Sequence, residues 1–389
     1  MRLADYVIEF LAEQGVTDVF TVSGGGSIFL CDALARSSRV RYDCCHHEQA
    51  VAMATEAYAR VRQGLGVSLV TTGPGGTNAI TGVAGSWMDS VPHLILSGQV
   101  FLSQTIGTSG VRQLGVQEIN IIDLVKPITK YAVMVTDPTT IRVHLERAVA
   151  LARSGRPGPV WLDIPANIQN ATIDERALQG DAPQERSPVP DEALIEQVAT
   201  VVAWLRAATR PLIHVGQGVR IAGAVEDFLR LVESHGLPFV TARNANDMIA
   251  SDHPLYVGRP GTFAQRGANF AVQNADCYLA VGTRLSLPQT GYQSKDFARH
   301  ARRVMVDIDR SELDKPTLNL HLKIHADAKT FLTELNRQLA GVKIQVPEWV
   351  EQCRRWAARY PVVLPEYRQQ QGTINSYVLI DVLSDLLGS

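Results

Sequence analysis

A carboxylate at the first turn of a helix, close to glycine-dense turns, is the arrangement in this sequence that could do chemistry. The run His46-His47-Glu48-Gln49-Ala50-Val51-Ala52-Met53-Ala54 places Glu48 at the start of a small-residue helix, directly after a strand. There it either complements the helix dipole or, in a dry pocket, shares its proton with a weak base and makes that base effective. Thr71-Thr72-Gly73-Pro74-Gly75-Gly76-Thr77-Asn78 is a second strand-to-helix turn, and its glycines let backbone amides approach a ligand closely. It is not a dinucleotide fingerprint, because Asn78 stands where the third glycine would be, and it lacks the lysine of a P-loop. A third turn, Val22-Ser23-Gly24-Gly25-Gly26, follows the first strand. Each turn reads equally as a tight crossover. The histidines offer no metal site: His46 and His47 are adjacent, and no second histidine completes an HExxH after Glu48.

The elements around these residues alternate. Apolar Leu3, Val7, Phe10 and Leu11 at helical spacing predict a first helix ending near Gln14, before Gly15. Strands are expected at 18–22, 40–43, 66–71 and 92–98, with helices from about Ile28, over 48–62 and from Thr77. The pattern restarts with strands at 211–215, 238–241, 277–281 and 304–308 and helices at 222–234 and 328–339. The expected fold class is therefore α/β, with two doubly wound parallel-sheet domains. The first domain spans 1–171, a charged, Pro- and Ser-rich linker 172–190, and a Rossmann-like central domain 191–341. A second polar stretch, 342–372, reads as another linker, and 373–389 as the opening of a further domain.

Composition narrows the function. Lys plus Arg (37) and Asp plus Glu (39) nearly cancel, without a long block of one sign, so no nucleic acid or membrane surface is expected as partner. The N-terminus lacks the layout of a secretory signal, and no apolar run is long enough to span a bilayer. The five cysteines are scattered, which argues against a disulfide framework or zinc site and for a cytoplasmic setting.

Taken in order, several segments resemble the pyrimidine-binding domain of the thiamine-diphosphate (ThDP) enzymes of the acetolactate synthase large-subunit type. They are residues 20–34 (FTVSGGGSIFLCDAL), 47–60 (HEQAVAMATEAYAR), 72–82 (TGPGGTNAITG), 88–100 (MDSVPHLILSGQV), Gln117-Glu118, 126–131 (KPITKY) and 158–165 (GPVWLDIP). The resemblance continues through the second series. It implies that Glu48 hydrogen-bonds N1′ of the cofactor's aminopyrimidine and favours the imino form that deprotonates the thiazolium. It also implies that Ser23, Gly24, Gly25, Gly73, Asn78 and Gln117 line the pyrimidine and substrate side. The implied reaction is decarboxylation of a 2-oxo acid such as pyruvate, with transfer of the two-carbon unit to an acceptor carbonyl. Residues 109–116 (SGVRQLGV) replace the shorter Asp-Ala-Phe link usual in acetolactate synthases. That longer form is similar to carboligases of nucleotide-sugar and polysaccharide pathways, so the acceptor is a keto acid or a nucleotide keto-sugar.

In the second domain, Gly216, Gly218 and Arg220, then Arg284, Asp307, Asp309 and Asp327, resemble positions that hold FAD in acetolactate synthases. Two departures leave a purely structural domain open as well: Gly258-Arg259-Pro260-Gly261-Thr262 replaces Gly-Met-x-Gly-x-His-Gly, and Ala326 replaces the glycine before Asp327. ThDP enzymes anchor the diphosphate through Mg2+ at a Gly-Asp-Gly, which this sequence lacks. The resemblance thus assigns no metal ligand here and implies Mg2+ through a diphosphate-binding domain that this chain lacks. It further implies a homodimer or tetramer, or a separate subunit carrying that domain. The competing reading is a non-catalytic FAD- or ADP-binding assembly module. A dehydrogenase is disfavoured by the missing G-x-G-x-x-G.

Overall fold

Short runs of β-branched and aliphatic residues between glycine turns become strands, and every strand is followed by chain that must cross over. In the computed structural model, which describes residues 1–180 and 189–387, the chain forms two compact units, Met1–Arg186 and Ser187–Ser389. The first unit contains β1 (Asp18–Thr21), β2 (Arg41–Cys44), β3 (Gly66–Val70), β4 (His93–Gln99), β5 (Tyr131–Met134) and β6 (Pro159–Pro165). They form one parallel sheet in the order β2-β1-β3-β4-β6-β5. Strands β3, β4 and β6 are buried along their whole length, as a sheet covered by helices on both faces requires.

The second unit repeats the plan with β7 (Pro211–Val215), β8 (Phe239–Thr241), β9 (Tyr256–Gly258), β10 (Cys277–Val281), β11 (Arg302–Asp307) and β12 (Leu322–His325). Its order, β12-β11-β10-β7-β8-β9, is that of a Rossmann sheet. The strand order reverses between β1 and β3 in the first unit and between β7 and β10 in the second. Ligands of open α/β sheets bind outside the carboxyl ends of the strands at such reversals. The two predicted α/β domains are thus both present.

Two stretches differ from the polar linkers expected of them. Within 342–372 the helix Pro347–Arg359 buries Trp349 and Cys353, and the Trp349 indole donates to the Pro211 carbonyl at 2.9 Å. Pro347 opens this helix from its first turn, where a missing N–H costs nothing. In 172–190 the described part packs on the first unit, with Ile173 and Leu178 buried; residues 181–188 of that linker lie outside the described residues. The helix Ser376–Leu387 buries none of its residues. No helix among the described residues is long and apolar enough to cross a membrane.

Candidate functional site

Glycines and threonines build the floor of the first reversal. The turn after β1 lies on the turn after β3 so closely that a Cβ on Gly24 would sit 2.5 Å from Thr71 Cβ, and one on Gly26 only 1.9 Å from Thr72 Oγ1. Gly26 N–H donates to Thr71 Oγ1 at 3.1 Å, and Thr72 Oγ1 donates to the Gly98 carbonyl at 3.0 Å, which ties both turns to the end of β4. Gly73 takes φ +59°, and a Cβ there would meet Gln117 O at 1.9 Å, so no other residue fits against the 117–118 segment. Ser23 and Gly25 are exposed on the same turn.

Two helices deliver the polar groups. Helix Glu48–Arg62 is capped by His47, whose Nδ1 accepts from Gln49 N–H at 3.1 Å, leaving Glu48 at the positive end of the helix. Helix Pro74–Asp89 begins at Gly73 and carries Asn78 one turn in. The helices touch through small residues, a Cβ on Gly82 falling 2.6 Å from Ala52 Cβ. This contact lets Asn78 Nδ2 donate to Glu48 Oε2 at 2.9 Å. The other oxygen, Oε1, faces Gly75, where a Cβ would lie 3.6 Å away, and Glu48 is half-buried.

A buried polar chain braces the same pair of helices. Thr55 Oγ1 donates to Val51 O at 2.8 Å and also meets Ser68 Oγ; Ser68 meets His93 Nε2 at 2.7 Å, and His93 Nδ1 meets Ser86 Oγ at 3.0 Å. Ser86 Oγ also donates to the Gly82 carbonyl at 3.3 Å, and a neutral His93 donates from one ring nitrogen and accepts at the other. Full burial agrees, pushing the His93 pKa down to about 3 and keeping the ring neutral. Four residues further along β4 and β6, where Ser97 pairs with Asp163, Asp163 is fully buried and its pKa is raised to about 7 by burial, with hydrogen bonds from Ser97 and Gln99 pulling the other way. Gln99 Nε2 bridges Asp163 Oδ2 and the Ile119 carbonyl, each at 3.1 Å.

The structure therefore brings Glu48, Asn78, Gly24, Gly73 and Gln117 into one neighbourhood, with Ser23 and Gly25 on its rim. Thr71, Thr72, Gly26, Gly75 and Glu118 belong to it too and were not singled out as site residues; the paired hydroxyls of Thr71-Thr72 before Gly73 at a strand end were the available signal. Among the described residues, no three His, Cys, Asp or Glu side chains gather as metal ligands.

In the second unit the named residues lie at the carboxyl ends of β7, β10, β11 and β12, and each has a local partner. A Cβ on Gly216 or Gly218 would strike Gly282 at 2.2 or 2.8 Å, so these glycines pack one turn on another. Arg220 pairs with Asp247 at 2.9 Å and Arg284 with Glu312 at 2.9 Å. Asp307 accepts from Asp309 N–H, Asp309 caps helix Arg310–Asp314, and Asp327 caps helix Ala328–Leu339. At the reversal itself, Gln217 Oε1 is buried without a hydrogen-bond partner among the described residues.

Residues 1–124 match the family model described as "Thiamine pyrophosphate enzyme, N-terminal TPP binding domain", and residues 198–335 that of the central domain. Over 356 residues the chain is 34% identical to a "Probable acetolactate synthase large subunit" of Methanocaldococcus jannaschii, covering 90% of this chain and 58% of the relative. It is 33% identical over 397 residues to the acetolactate synthase large subunit of Corynebacterium glutamicum, covering 100% and 61%. Identity to the Escherichia coli isozyme 1 large subunit is 32% over 332 residues, covering 85% and 57%. The chain thus spans 57–61% of the length of these relatives.

Proposed function

Because this chain belongs to the thiamine pyrophosphate enzymes, we propose that it supplies the pyrimidine-binding side of a ThDP-dependent carboligase. That enzyme decarboxylates a 2-oxo acid such as pyruvate and passes the two-carbon unit to an acceptor carbonyl. The observation that carries this reading is the division of roles within one carboxylate. Asn78 holds Glu48 Oε2 at 2.9 Å, while Oε1 opens onto the glycine turn. A carboxylate fixed at one oxygen holds or delivers a proton at the other without first reorienting.

The residues fit the group. Glu48 Oε1 would hold the aminopyrimidine, in a cradle where Gly24, Gly26, Gly73 and Gly75 leave no space for side chains. When bound, ThDP supplies the electron sink that 2-oxo-acid decarboxylation needs. The apolar cluster of Val51, Val70, Ala79 and Ile121 packs the helices that carry Glu48 and Asn78 onto the sheet. Ser23, Gly25 and Gln117 face the substrate side. Mg2+ belongs, in this reading, to the part of the enzyme that carries the diphosphate site, on a partner chain or a further domain. The acceptor is a keto acid or a nucleotide keto-sugar, chosen by residues 109–116, and the working form is at least a dimer in the cytoplasm.

The test is pyruvate decarboxylation by the assembled enzyme with ThDP and Mg2+. Glu48→Gln is expected to lower turnover about 10²–10⁴-fold with an unchanged far-UV circular dichroism spectrum. Full turnover in that variant rejects the assignment.

The second reading, a non-catalytic FAD- or ADP-binding module, is favoured by one observation, the orphaned Gln217 Oε1 at the Rossmann reversal. A bound ligand's hydroxyl or amine would satisfy it. The purified protein should then carry flavin absorbance, or bind ADP by calorimetry, and Gln217→Leu should weaken that binding. Nucleotide binding with no turnover under any complementation would replace the first reading.

A further inference from the structure

Glu118 is a carboxylate that is only 6% exposed, yet no lysine or arginine among the described residues holds it. Its two oxygens take backbone donors from the two ends of one loop: Oε1 accepts from Ile106 N–H at 2.5 Å and Oε2 from Leu114 N–H at 3.0 Å. The Glu118 N–H itself returns to the Gly115 carbonyl at 3.3 Å, and Ser109 closes a turn on the Ile106 carbonyl. A single buried side chain thus stitches the whole segment 106–118. Charge-assisted bonds to backbone amides are the strong ones, and a buried carboxylate without them would be costly.

The stitched loop is held at both flanks. Gly115 packs so tightly that a Cβ would meet Val100 Cγ2 at 2.8 Å and Gln104 O at 2.9 Å. At the far end, Gln117 takes φ +59° and its carbonyl rests against Gly73, while Ile119 O is held by Gln99. Between these anchors Val111, Leu114 and Val116 are exposed (48%, 58% and 82%), and Arg112 is the loop's one charged side chain.

We infer that Glu118 is a positioning residue for acceptor choice: it fixes the loop 106–117 against the Gly73 turn, so that the loop's outward side chains form one wall of the acceptor's path. This rests on the carboligase reading above. Glu118 donates nothing to the reacting atoms; it acts through the loop backbone. Replacing one oxygen by an amide, in Glu118→Gln, sets an N–H against an N–H at one of the two anchors and releases that end.

Two readouts test it. In native conditions, trypsin cuts after Arg112, and Glu118→Gln should raise the cutting rate at least about tenfold, because cleavage follows local opening. In the assembled enzyme, the ratio of kcat/KM for pyruvate over acetaldehyde as acceptor should shift at least about fivefold. Leu114→Ala, which keeps both backbone anchors, should shift the same ratio without faster cleavage. If Glu118→Gln fails to fold, Glu118→Asp, with its shorter reach, takes its place in both measurements. The inference is overturned if cleavage is unchanged, or if use of both acceptors falls in equal proportion. A parent enzyme that decarboxylates nothing overturns the carboligase reading instead, and the cleavage rates still decide the anchoring.

Discussion

Asn78 and Glu48 share a hydrogen bond whose value lies in orientation. Asn78→Ala removes the donor to Glu48 Oε2 and frees the carboxylate to rotate, so turnover should fall about tenfold, less than for Glu48→Gln, since the carboxylate itself remains. Steady-state kinetics of both variants, side by side, check the order; an Asn78→Ala loss as deep as that of Glu48→Gln would mean that Asn78 itself meets the reacting groups. In the sequence Glu48 stands out as a carboxylate opening a helix after a strand, whereas Asn78 is named only through the resemblance to ThDP enzymes. The sequence did not reveal that Gly73 must be glycine because of Gln117, or that Glu118 is committed to two backbone amides. Both depend on contacts between segments far apart in the chain, where no local spacing signals them.

At the scale of elements, the site depends on how closely helices Glu48–Arg62 and Pro74–Asp89 approach. Gly82→Ala inserts a methyl 2.6 Å from Ala52 Cβ and 2.9 Å from the Met53 nitrogen, so the helices must part. Overpacking of this kind costs about 1–3 kcal/mol, and the Glu48–Asn78 bond should lengthen with it. The thermal midpoint and turnover should both drop, and adding Ala52→Gly should restore part of each; no recovery in the double variant would place the strain elsewhere. Helix Glu48–Arg62 and strands β7 and β10 were legible to the residue, because apolar period and flanking turns agree there. Strands β5, β9 and β12, each at or near a sheet edge and only three or four residues long, carry too little pattern to register. Helix Pro347–Arg359 was hidden by its arginines and glutamates, although Trp349 and Cys353 stand four apart on its buried side.

Across the whole molecule, buried titratable groups set the response to pH. His93 and His214 are pushed down to about 3 by burial, so each contributes fully above its ordinary 6.5, and that contribution is lost as pH falls through the window below. Asp163, raised from 3.8 to about 7, works the other way: its contribution is full in acid and is lost as pH rises toward 7. Asp163→Asn should therefore flatten the loss between about pH 4 and 7 and leave the variant more stable than the parent at about pH 8. Denaturant midpoints across that range measure it, and a variant weaker than its parent at alkaline pH would show that Asp163's bonds to Ser97 and Gln99 outweigh its burial. One further property follows from the sheets. Among the described residues each of the ten strand pairings is parallel, so none can be closed by a hairpin, and each waits for a crossover segment to be in place. Such non-local pairing makes folding slow, on the order of milliseconds to seconds or longer, with unpaired strand edges exposed meanwhile. Newly made chains of this protein should therefore linger in a sticky, half-paired state and draw on chaperones, and refolding yield should fall steeply as protein concentration rises.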